Sequence, residues 1–161
     1  MRRSVPLLAC VIFLLAPLAT LPALSRGDFD RVVDLSVTLK TLAAAAEGRA
    51  PLPTGRMLLL SGTVSDLNIL NKDEKSFKVR IELITGEWIG LEDVKAYACY
   101  VEFSGPEFFK VFPARTPRTA APDVITLNSR VVVVCSPLDI VDTPQGEKHV
   151  RAAGAYIRTI E

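Results

Sequence analysis

Histidine occurs once in the 161 residues, at His149, tryptophan once, at Trp88, and cysteine only three times. The chain contains no G-x-S-x-G nucleophile elbow, no H-E-x-x-H zinc motif and no glycine loop fit to cradle a phosphate. A lone histidine beside two or three cysteines lacks ligand spacing, and no C-x-x-C is present, so no metal site, redox pair or cofactor is expected. Neither internal repeats nor low-complexity tracts occur. Charge of one sign is also missing: 19 Lys+Arg stand against 18 Asp+Glu. Without residues 1–25, which hold Arg2 and Arg3, the balance becomes 17 against 18, a net of −1. That balance provides no general attraction to phosphate backbones or anionic membranes, so nucleic acid is not an expected partner.

What is present begins with "MRRSVPLLACVIFLLAPLATLPALSRGDFD". Two arginines, an uncharged apolar run from Val5 to Leu24 and small residues at Ala23 and Ser25 are the parts of a secretory signal peptide, with cleavage after Ser25. Twenty apolar residues also suffice to span a bilayer, so an uncleaved inner-membrane anchor at residues 5–24 is the alternative. Pro6, Pro17 and Pro22 weigh against such a span. "LLAC" resembles a lipobox, but six residues between Arg3 and Cys10 are fewer than the usual h-region of about 7–15. The expectation is therefore export to the periplasm or cell envelope, with a membrane contact only if the segment is retained.

Beyond the signal peptide, residues 26–55 read as a helix and a connector. Alanines 43–46 favour helix and Gly48 is placed as its stop, whereas Leu35, Val37 and Leu39 alternate as in a strand. A surface helix over 28–47 is the preferred reading, followed by the Pro/Gly-rich "GRAPLPTG" (48–55). Residues 56–161 then form the domain proper. Strands are expected at 56–67, 76–84, 95–103, 129–136 and 149–160. "SFKVRIELI" alternates cleanly, with Phe77, Val79, Ile81 and Leu83 on one face and Lys78, Arg80 and Glu82 on the other. Gly62 and Gly154 interrupt the first and last strands, which suggests bulges or sharp bends. "GPEFFKVF" (105–112) reads as a short helix with Pro106 in its first turn. "PARTPRTAAPD" (113–123) reads as irregular. Five strands with a helix between the third and fourth match a mainly β, five-stranded OB-like Greek-key barrel carrying an N-terminal helix.

"SGTVSDL", "ACYVEF" and "NSRVVVVCS" are the segments through which residues 56–160 resemble a group of small exported bacterial OB-fold proteins, the tRNA-anticodon-binding-domain-like family. The resemblance implies a Cys-aromatic pair late in the third strand, here Cys99-Tyr100, and a cysteine ending the fourth, here Cys135. Val133 stands where that group usually has glycine. The family's name refers to fold and implies no tRNA binding.

With Cys10 removed, Cys99 and Cys135 are an even pair, which in an oxidising compartment favours a disulfide. The barrel topology puts the fifth strand between them, which favours two buried thiols instead. Both readings stay open. For function, the outer face of the second and third strands offers Lys78, Arg80 and Tyr100 as ligand-binding residues, with Glu82 and Glu102 countering the two cations. A neutral saccharide, a peptide or a protein suits that mixture. Trp88, in the connection between these strands, reads as a packing residue. The preferred reading is thus an exported, non-enzymatic OB-fold binding or interaction module. Its alternatives are a single-stranded nucleic-acid or oligosaccharide binder using the same face, and a hydrolase-like site at His149 with Asp139, Asp142 and Glu147 nearby.

Overall fold

The computed structural model describes residues 26–90, 93–113 and 123–160. The expected signal peptide, residues 1–25, and residues 114–122 of the irregular stretch lie outside the described residues. Among the described residues no helix is long and apolar enough to cross a membrane. The elements are α1 (Arg26–Val32), β1 (Val33–Asp34), α2 (Leu39–Ala46), β2 (Met57–Asn71), β3 (Lys78–Ile89), β4 (Asp93–Ser104), β5 (Arg130–Asp142) and β6 (Lys148–Thr159). Short 3-10 turns occupy Glu74–Ser76 and Pro106–Phe108.

The sheet runs β1-β2-β3-β4-β6-β5, and β5 pairs back onto β2. The five long strands therefore close a barrel. β4 and β6 are parallel, whereas the other pairs around the barrel are antiparallel. This is the OB-type Greek key, as the strand count suggested. Period-2 alternation builds its wall. In β3, Phe77 at the entrance and then Val79, Ile81 and Leu83 are buried, and in β4 Tyr97, Cys99, Val101 and Phe103 meet them.

The two interrupting glycines have specific steric causes. β2 pairs with β5 through Leu58–Thr63 and with β3 from Thr63 onward, so it changes partner at a bend. A Cβ on Gly62 at that bend would lie 2.6 Å from the Ile84 carbonyl oxygen. Gly154 sits where β6 is irregular against β5, and the Phe103 ring passes directly over it.

Both barrel ends are plugged. At one end α2 buries Leu39, Leu42, Ala45 and Ala46 against β4 and β6, with Thr38 accepting a capping bond from the Thr41 amide at 3.3 Å. Burying each leucine contributes about 1.5–3 kcal/mol. At the other end Phe108 and Phe112 pack on Phe103 with ring centroids 4.9 and 5.3 Å apart. The helix expected over 105–112 is only a 3-10 turn with Pro106 at its start.

The N-terminal reading needs correction. Residues 28–47 are not one helix, because β1 adds to β2 in parallel, with Val33 beside Met57. The Asp34 carboxylate accepts from the Ser36 amide and hydroxyl at 2.9 and 2.6 Å and from Arg56 at 3.1 Å. That local bonding competes with helix and forces a bend before α2.

Cys99 and Cys135 are free, wholly buried thiols. β6 runs between their strands, opposite Cys99 at Val150 and opposite Cys135 at Gly154. Two inter-strand spacings amount to about 9–10 Å along the sheet, against a disulfide reach of roughly 7 Å. The candidate bridge is not formed. Burial, then the nearby Cys135, pushes the Cys99 thiol well up, and burial pushes Cys135 up to about 12. Neither thiol is expected to react with iodoacetamide in the native state. Mass spectrometry should find both alkylated in denaturant without reductant; labelling that required reduction would contradict the thiol assignment.

Candidate ligand face on β3 and β4

Strand alternation and the β3–β4 register define one outer face. Arg80 lies beside Glu102, Glu82 beside Tyr100, Ile84 beside Ala98, Gly86 beside Ala96 and Trp88 beside Val94. Along the barrel wall these residues face away from the core, since Val79, Ile81, Leu83, Cys99, Val101 and Phe103 fill it, and the same alternation carries the row on to Trp88 and Val94. The face therefore divides into a polar half around Arg80 and Tyr100 and an apolar half leading to Trp88. From Trp88 to the Tyr100 row is about 20 Å at the strand rise.

Glu102 organises the polar half. It is only 7% exposed although it faces outward, because cations cover it. Its Oε1 accepts from Arg80 Nε and Nη2 at 3.0 and 2.6 Å, and its Oε2 meets Lys78 Nζ at 2.8 Å. Arg151 from β6 approaches to 3.8 Å while donating to both oxygens of Asp139 at 2.8 and 2.5 Å. Burial alone would raise the Glu102 pKa, but the bonds from Lys78 and Arg80 outweigh it and hold the carboxyl below its ordinary value. The Arg151 hydrogen bonds likewise depress Asp139. All three cations remain part-exposed, with Lys78 at 42%, Arg80 at 35% and Arg151 at 31%.

Tyr100 lies between two partners. The Arg80 guanidinium is 5.5 Å from its ring centroid, and the His149 ring is 5.2 Å away on a tilt. Desolvation, then the Glu82 charge, raises the phenol pKa. His149, near the start of β6, is largely covered. Its side chain is 14% exposed, with Nδ1 3.7 Å from Glu82 and Nε2 3.6 Å from Glu147. The buried Nδ1 makes no hydrogen bond. Of the three acids expected around it, Asp139 is committed to Arg151 and only Glu147 comes near. No carboxylate is within the roughly 2.6–3.2 Å that proton transfer uses, and no group among the described residues could hold a metal ion.

Lys78, Arg80 and Tyr100, the residues singled out from the sequence, lie on this outer face, and three contributors that the sequence reading missed join them. Trp88 is 71% exposed and continues the outer row, so it is no packing residue. Arg151 and His149 join from β6, whose parallel pairing with β4 sets Arg151 beside Tyr100. The alternation of His149, Arg151 and Ala153 was the available signal.

The base of the apolar half is tied to the barrel end. Glu87 accepts from Lys40 of α2 at 2.8–2.9 Å and from the Tyr97 hydroxyl at 2.8 Å. These bonds, Lys40 first, lower the Glu87 pKa.

No family model matches the chain, so the tRNA-anticodon-binding-domain-like family is not supported, and no curated protein matches it. Solved structures of similar fold include the Plasmodium falciparum SSB in complex with ssDNA, with TM-score 0.43, 15% identity, 70% of this chain and 100% of that chain covered. Another is a small single-stranded DNA-binding protein from Streptomyces coelicolor, with TM-score 0.38, 13% identity and coverage of 65% and 91%. The mitochondrial single-stranded DNA-binding protein of S. cerevisiae gives 0.35, 6%, 65% and 94%. These similarities concern fold alone. Each of these neighbours is by name a single-stranded DNA-binding protein or its complex with ssDNA, which stands against the expectation that nucleic acid is an unlikely partner. The physical error lay in using whole-chain charge, when a face needs only local cations and rings.

Proposed function

We propose that the domain is a non-enzymatic binding module that takes an extended single strand of nucleic acid across the outer face of β3 and β4. The observation that carries this reading is the continuous track from exposed Trp88, over the small residues Gly86, Ala96 and Ala98, to Tyr100 and the three cations gathered around Glu102. Two rings about 20 Å apart can stack non-adjacent bases, and small residues between them leave the backbone room to pass. Because Glu102 and Asp139 already partner the cations, salt dependence should be shallow, with a log–log slope near −1 to −2.

Trp88 is the only tryptophan, so its emission reports the site directly. Titration with a single-stranded oligothymidine should quench it. Trp88→Ala should weaken binding by roughly 1–3 kcal/mol, followed by the anisotropy of a labelled strand, while stability stays within about 0.5 kcal/mol. Quenching by a neutral oligosaccharide but not by the oligonucleotide would overturn the reading. Residues 1–25 would deliver this face to the periplasm or cell envelope. An intact mass starting at Arg26 tests that step, and a mass retaining Met1 would contradict it.

A further inference from the structure

The β3–β4 pair outgrows the barrel. Among the described residues, β2 reaches β3 only as far as Ile84, and β6 accompanies β4 only from Cys99 to Glu102. Five rungs, from Thr85–Tyr97 to Ile89–Asp93, therefore project as a two-stranded ribbon. Its apolar side chains are wet: Trp88 is 71%, Val94 54% and Ile89 51% exposed. Residues 93–96 of β4 are all exposed. An isolated ribbon of two strands is marginal in water, and an unpaired edge is a template for another strand.

We propose that the β4 edge of this ribbon is a self-association surface, on which a second copy pairs antiparallel with Val94 opposite Val94. The charge pattern selects that register. Centring the pair on Val94 sets Asp93 opposite Lys95 of the second copy, and by symmetry does so twice. Moving the centre one residue either way sets Asp93 against Asp93 or Lys95 against Lys95, and directly opposed like charges destabilise a pair. The corresponding edge of β3 offers no such complement, because its only charge, Glu87, is already held by Lys40 and Tyr97.

The geometry has a further consequence. Directly opposed residues of antiparallel strands share a face, so both outer faces lie on one side of the joined sheet. Trp88, Val94, Val94 of the second copy and Trp88 of the second copy then form one row across four strands, about 14 Å long. The row withdraws apolar surface from water while leaving the rings accessible. Association stands or falls independently of what the face binds.

Sedimentation equilibrium of the full chain tests the surface. A mass twice that of one chain, as measured in denaturant on the same sample, is expected. Asp93→Lys and Lys95→Asp should each weaken the dimer about tenfold or more, since each change acts twice. The combined exchange Asp93→Lys/Lys95→Asp should restore it. Val94→Cys should yield a covalent dimer on mild oxidation that the parent chain and Ile89→Cys do not, because opposed Cα atoms lie within disulfide reach. A chain monomeric at all concentrations, a dimer indifferent to both single charge changes, or an exchange that fails to restore it would overturn the proposal.

Discussion

Replacing Gly154 by alanine is expected to cost about 3 kcal/mol and lower the melting temperature by roughly 10 °C. The added Cβ would lie 2.3, 2.5 and 2.7 Å from three atoms of the Phe103 ring, distances at which something must move. Neither side can move cheaply. Phe103 is wholly buried and held by Phe108 and Phe112, and the β6 backbone is fixed by ladders to both β4 and β5. β6 already departs from regular pairing here, with Cys135 opposite Gly154 but Val134 opposite Tyr156. The residue skipped between them lets the strand curl over the ring. Gly146→Ala is the contrasting change. Its φ of +83° makes a side chain strained, yet nothing lies within 4 Å of the added carbon, so about 1 kcal/mol is expected. Urea denaturation of both variants measures the difference. If Phe103 is the obstacle, Gly154→Ala in a Phe103→Leu background should cost less than in the parent. Strict additivity would show that the ring is not the cause.

Gly62 and Gly154 were legible as irregularities but not in their cause. A glycine inside a strand pattern announces an irregularity, and both Gly62 and Gly154 mark one. The obstructing atoms, a carbonyl of β3 and a ring of β4, come from elsewhere in the chain and leave no local trace. The clean alternation from Phe77 to Leu83 identified β3 and the outward set Lys78, Arg80 and Glu82. It lost the row afterwards, because Gly86 and the polar residues around it hide the continuation through Ile84 to Trp88. The N-terminal stretch was ambiguous for a real reason: it contains both a strand and helices. Arg151 reached the face through a parallel pairing some fifty residues distant, a contact set by barrel closure rather than by any local pattern. Glu102 was legible as outward-facing. Its burial was not, because three cations from two other strands do the covering.

That burial makes Glu102→Gln the most discriminating change on the face. Removing the charge releases Lys78 and Arg80 from the carboxylate that holds them, while Arg151 stays on Asp139, and both released cations are exposed enough to meet a phosphate. If the face binds a nucleic-acid strand, affinity at low salt should rise about tenfold and the log–log salt slope should steepen by about one, as one more cation becomes available. Stability at neutral pH should fall by about 1–2 kcal/mol, because charge-assisted hydrogen bonds become neutral ones. The pH dependence supplies an internal check. Glu102 is held below its ordinary value of 4.5, so its contribution is present above that value and is lost as pH falls through the lower folded value. The glutamine variant should lack that part of the acid-induced loss and converge with the parent at low pH. Measuring affinity, salt slope and acid stability together separates two roles for the carboxylate. A gain in affinity with lower neutral-pH stability makes Glu102 a brace that restrains the cations. A loss of affinity, with the salt slope unchanged, would mean that the carboxylate itself accepts hydrogen bonds from the ligand, which a phosphate cannot donate and a base amino group or a sugar hydroxyl can.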